Sequence, residues 1–185
     1  MKSRRQFLKL SGAGLLAAGI SPVYASASVP VPPKKFASKD AFEIGMAGYT
    51  FAQLSLDKMI EIMKRVGVTN LSLKEMHLPL NSTREKIEET IGKLKNAGIN
   101  VYTVGVVYMR TKESVDQAFE YAKMAGVNMI VGAPNTELLP HVEQKIKEYD
   151  FRLAIHNHGP DNPLYPNATD IWNHIKDLDP RIGIC

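Results

Sequence analysis

Two histidines one residue apart, His156 and His158, close a short apolar run in Arg152-Leu153-Ala154-Ile155-His156-Asn157-His158-Gly159-Pro160-Asp161. Side chains alternate along a strand, so Ala154, His156 and His158 are predicted to share one face and Leu153, Ile155 and Asn157 the other. Two imidazoles then converge at the strand's exit, where they can bind a metal or move a proton. If they do neither, they hydrogen-bond the loop at Gly159 and Pro160. A second cluster, Lys74-Glu75-Met76-His77-Leu78-Pro79, follows the apolar run 70–73. With Leu71 and Leu73 turned to one side, Ser72 and Lys74 face the other. Lys74 there can bind hydroxyls or oxyanions or stabilise an enolate, and His77 in the loop above is a candidate acid/base. Glu75 is either a substrate contact or half of a solvated Lys-Glu pair.

The elements that must position these residues follow a regular rhythm. Apolar runs near 43–47, 70–73, 101–107, 129–131, 153–155 and 182–185 alternate with stretches of helical period. Strands recurring after helices predict consecutive βα units and a parallel sheet with crossovers of one hand. Leu56, Met59, Ile60, Met63 and Val66 form one helical stripe, ended by Gly67. Ser82 and Glu85 fit a capping box for the next helix, which buries Ile87, Ile91 and Leu94 and stops at Gly98. Further helices are predicted over 112–125, stopping at Gly126, and over 137–149. The turns Gly67-Val68-Thr69-Asn70, Gly98-Ile99-Asn100 and Gly126-Val127-Asn128 read as one unit repeated, with glycine closing each helix.

The 185-residue chain carries 23 Lys+Arg against 19 Asp+Glu. Lys2, Arg4, Arg5 and Lys9 fall in Ser3-Arg4-Arg5-Gln6-Phe7-Leu8-Lys9 and its flank, ahead of a Gly/Ala-rich apolar run to Ile20 and Ala25-Ser26-Ala27. This pattern resembles a twin-arginine export signal over 1–27, cleaved near Ala27, and implies a periplasmic protein without a stable membrane anchor. The alternative, a spanning anchor, needs a longer apolar run of roughly 20 residues. Residues 28–41 read as a Pro- and Lys-rich linker, and 42–185 as the folded domain. Without the four signal cations the charges balance, which removes the compositional case for a nucleic-acid partner. Cys185 is the one cysteine, so no disulfide forms within the chain.

The βα rhythm, Gly48-Tyr49-Thr50-Phe51 after the first strand, and Leu153 to Gly159 on the fifth together resemble the xylose-isomerase-like barrels. That resemblance covers roughly 42–185 and implies a (β/α)8 TIM barrel, of which about five and a half βα units are present. It further implies a sugar isomerase or epimerase working by metal-assisted proton transfer beside a carbonyl on a small carbohydrate. A lyase with the same first step and a non-catalytic sugar-binding protein are the alternatives; a DNA-repair endonuclease fits the fold but not the charge or the export signal. The family's strand commonly reads L-x-x-E-N-H with the glutamate on a divalent metal. His156 stands at the glutamate's place in this chain, which shifts the expected ion from Mg toward Mn, Zn or Co, with the remaining ligands expected beyond residue 185. The expected roles are His156 as metal ligand; Lys74, His77 and His158 as catalytic residues; and Tyr49, Glu75, Tyr108 and Asn157 as substrate contacts.

The family's next strand carries D-x-G-H, and this sequence resembles only its beginning, Arg181 to Cys185. The chain is therefore expected to be part of a longer protein, inactive and marginally folded by itself, rather than a small complete α/β domain. Asn135 is read as a cap for the fourth helix, and Trp172 as core. His141 and His174 lie on helices and receive no role. The loop 160–167, with Tyr165, is read as one wall of the pocket.

Overall fold

The computed structural model describes residues 42–185; the expected signal and linker lie outside them. Six parallel strands, β1 (Gly45–Ala47), β2 (Asn70–Leu73), β3 (Asn100–Met109), β4 (Met129–Pro134), β5 (Arg152–Ile155) and β6 (Ile182–Ile184), pair in sequence order. Five helices connect them: α1 (Leu56–Val66), α2 (Arg84–Asn96), α3 (Lys112–Met124), α4 (Leu139–Tyr149) and α5 (Ala168–Ile175). This is the expected partial (β/α) barrel sheet, each strand returning to its neighbour through a helix.

Leu71, Leu73, Ile130, Leu153 and Ile155 of the sheet share one apolar cluster with Met59 and Met63 of α1, Ile87 and Leu94 of α2, Phe119 of α3 and Ile146 of α4. Their three- and four-residue spacing on the helices fixes which helical face turns inward. Ser72 and Thr103 are also buried, and Thr103 Oγ1 donates to the Met129 carbonyl at 2.9 Å, bridging β3 and β4.

The helix boundaries follow local chemistry. Ser55 caps α1 by accepting from Lys58 N, and Gly67 ends it in the left-handed region at φ 73°. The cap of α2 is Thr83, not the expected Ser82: Thr83 Oγ1 accepts from Lys86 N at 3.3 Å, which puts Glu85 in the first turn. Thr111 and Ser114 form a reciprocal box at α3. Residues 136–138 make a 3-10 turn before α4, so that helix begins two residues after the predicted 137. Asn135 precedes that turn without capping it; its Nδ2 donates to Glu137 Oε1. Asp150 plays the glycine's part after α4, at φ 54°. Trp172 is 55% exposed on α5 rather than in the core, where Ile171 and Ile175 sit instead.

β3 is irregular in its middle. Its register against β4 shifts between Val104 and Val107, the Gly105–Val106 peptide is cis, and Gly105 sits at φ 117°. A Cβ at Gly105 would stand 1.9 Å from the Val131 carbonyl oxygen, so only glycine fits there. The shift brings Val106 to the pocket described below. Among the described residues, no helix is long and apolar enough to cross a membrane.

Candidate active site

A cavity of about 420 Å³ opens at the carboxyl ends of the strands, lined by Tyr49, Lys74, Glu75, Val106, Tyr108 and His156 among others. Tyr49 follows β1, Lys74 and Glu75 follow β2, Tyr108 nears the end of β3, and His156 is the first residue after β5. The two clusters singled out in the sequence therefore meet in space, because parallel strands all deliver their exits to one end of the sheet.

Lys74 is half-buried, and among the described residues its ammonium has no ion pair or hydrogen-bond partner. Its stem runs past Gly48, where a Cβ would come within 3.0 Å of Lys74 Cγ and of the Ser72 carbonyl oxygen. Burial pushes the Lys74 ammonium below the ordinary lysine range, with Cys185 acting the other way. His156 is likewise held below the ordinary histidine value, first by burial, then by His158 and by Lys74. Near neutral pH it is a neutral imidazole, able to accept a proton.

His158 stands edge-on to His156 with ring centroids 5.2 Å apart. It stacks on Tyr108 at 5.6 Å and shares a 2.9 Å hydrogen bond between its Nε2 and the tyrosine hydroxyl. Its Nδ1 is buried without a partner, and its backbone N–H donates to the Tyr165 carbonyl. His158 thus reaches the cavity through Tyr108 rather than lining it. Asn157 is half-buried between the histidines and does not line the cavity either.

His77 is not among the residues that line the cavity, and its Nδ1 is buried without a partner. Its Nε2 faces the Leu54 carbonyl at 3.2 Å, so that nitrogen carries the proton and donates, and the imidazole ties two loops together. Tyr165 departs from expectation: it is fully buried and donates to the Pro134 carbonyl at 2.8 Å, anchoring its loop instead of walling the pocket. Tyr121 does the same for the loop after β2 through the Leu78 carbonyl. Met76 and Val106 line the cavity without having been singled out. Neither has reactive chemistry; a glycine inside an apolar strand was the one signal available for Val106.

His156 supplies one imidazole for the expected divalent metal, but no three of His, Cys, Asp and Glu gather at one point among the described residues. His158 Nε2 is already engaged by Tyr108, and the Lys74 cation stands close enough to disfavour positive charge on His156. The described residues do not by themselves fit a divalent metal, and no step proposed for this site runs through one.

No family model and no curated protein matches the chain. Solved structures do. An uncharacterized protein of Parabacteroides distasonis superposes with a TM-score of 0.67 at 23% identity, over 78% of this chain and 62% of its own. A xylose isomerase domain containing protein of Salmonella typhimurium gives 0.57 at 14% identity, over 73% and 56%. The fold is that of the xylose-isomerase-like barrels. A D-psicose 3-epimerase solved in the presence of D-fructose shares the barrel at 12% identity and a TM-score of 0.61, over 77% and 62%. The chain spans less than two thirds of the length of each of these three.

Proposed function

We propose that this barrel acts on a sugar or keto-sugar as an isomerase or epimerase, moving a proton on the carbon beside a carbonyl. The observation that carries the reading is the meeting of Lys74, His156, Tyr49 and Tyr108 in one cavity at the catalytic end of the sheet. Neutral His156 takes the proton, Lys74 stabilises negative charge developing on the carbonyl oxygen, and the Tyr108–His158 pair supplies a second proton-carrying hydroxyl. The two exposed tyrosine rings suit the apolar face of a sugar. A structural neighbour that is a D-psicose 3-epimerase supports the same substrate class. A leaving group beta to the carbanion would turn the same first step into a lyase reaction.

Proton NMR of ketoses in deuterium oxide with the full chain tests this. Loss of the signal next to the carbonyl, slowed in His156→Ala, is the expected result. Saturable binding with no exchange for any ketose would leave a non-catalytic sugar-binding protein, the second reading that the exposed tyrosines favour. The reading also places the protein in the periplasm, supported by Arg4-Arg5 ahead of the apolar run and by Ala25-Ser26-Ala27. N-terminal sequencing of the exported protein is expected to begin just after Ala27; retention of Arg4 and Arg5 in the mature protein would refute the export signal.

A further inference from the structure

Among the described residues, Lys74 has no carboxylate in contact, and unlike Lys64, Lys95, Lys112, Lys123 and Lys176, which also lack one but are exposed, it is half-buried. It enters a cavity walled in part by Val106 and Met76, beside the imidazole of His156 and the hydroxyls of Tyr49 and Tyr108. A receptor for an anionic substituent would gather several donors. This cavity offers a single cation, and Glu75 on its rim repels anions. An unpaired amine among apolar walls and proton carriers is instead the arrangement of a carbonyl-attacking nucleophile.

We infer that Lys74 forms a covalent imine with the carbonyl of an open-chain ketose, a role that rests on the carbonyl-directed reading of the site given above. The neutral Nζ attacks the carbonyl carbon, a C–N bond forms, and the carbonyl electron pair moves to oxygen, which takes a proton. The carbinolamine hydroxyl leaves as water with a second proton, one proton being drawn from the amine and the other from the Tyr108–His158 pair, which regains its proton when the imine is hydrolysed at the end of the cycle. The product is a protonated imine. His156 then removes a proton from the adjacent carbon, the electron pair passes to nitrogen as an enamine, and reprotonation followed by hydrolysis frees the lysine. No oxidant or reductant takes part.

The full chain is incubated with dihydroxyacetone and sodium cyanoborohydride, then analysed by intact mass and tryptic mapping. The expected result is one near-stoichiometric adduct of the ketose less water plus two hydrogens, on Lys74, with loss of tryptic cleavage after that residue. Lys74→Met removes the adduct, and Lys74→Arg, which keeps the charge without the nucleophile, removes both adduct and deuterium exchange. Exchange retained in Lys74→Arg, or label spread evenly over surface lysines, overturns the imine. Exchange without any adduct also overturns it while leaving the proposed function standing, and saturable binding with neither adduct nor exchange overturns both in favour of the sugar-binding reading. Absence of adduct, binding and exchange together sinks both.

Discussion

The hydrogen bond between Tyr108 and His158 leaves a polar atom without a partner whichever way the proton lies. If the tyrosine donates, the ring proton sits on Nδ1, buried with no acceptor; if Nε2 donates, the Nδ1 lone pair is stranded. The pair holds its geometry at a cost. Tyr108→Phe is expected to destabilise the domain by about 1 kcal/mol and to slow ketose exchange, because His158 then has neither ring nitrogen satisfied. Wild-type stability with unchanged exchange in that variant would remove the pair from the site. His156 carries a pH prediction. Burial and its cationic neighbours disfavour its protonated form, so NMR of the ring should show titration below about 6.5, the unperturbed value. Lys74→Met is expected to move that titration upward, since one of the depressing charges is gone. At this scale the sequence was informative where chemistry and strand period coincide, as for Lys74 and His156. It was misleading for His77, whose ring direction is decided by the carbonyl of Leu54, a residue 23 positions earlier in the chain.

Elements were legible from sequence in proportion to how local their causes are. The helix stops at Gly67, Gly98 and Gly126 all adopt positive φ, as the repeated turn requires. Ser82 and Thr83 are both good caps, and adjacency alone cannot choose between them; the structure chooses Thr83. Thermal or denaturant unfolding should therefore show Thr83→Ala costing about 1 kcal/mol and Ser82→Ala close to nothing. Equal losses would mean that the cap is shared. The need for glycine at the β3 bulge was not legible, because it comes from a carbonyl on the neighbouring strand. Gly105→Ala brings a methyl onto the Val131 oxygen in addition to the strain of its φ, whereas Gly126→Ala meets nothing within 4 Å. The first is expected to cost at least about 2 kcal/mol and the second about 1.

For the molecule as a whole, the turn that leads into β6 contributes to acid stability. Asp179 accepts from the backbone N–H, Nε and Nη2 of Arg181, and Arg181 Nη1 donates to Asp150 at the end of α4. Those hydrogen bonds and the guanidinium charge hold the Asp179 carboxyl well below the usual carboxylate range. A carboxylate depressed in the folded state contributes stability above its unfolded value, about 3.9, and that contribution is lost as pH falls toward the folded value. Asp179→Asn should consequently lower the melting temperature at neutral pH and flatten its decline on acidification; parallel curves for the two proteins would contradict this. The sequential strand order has a further consequence during synthesis. Every strand after β1 finds its hydrogen-bonding partner already made, one helix earlier, so the sheet can grow unit by unit as the chain leaves the ribosome. Translation and assembly can run in the same direction, and a pause after any helix would leave a nascent edge that only the next strand is shaped to cover.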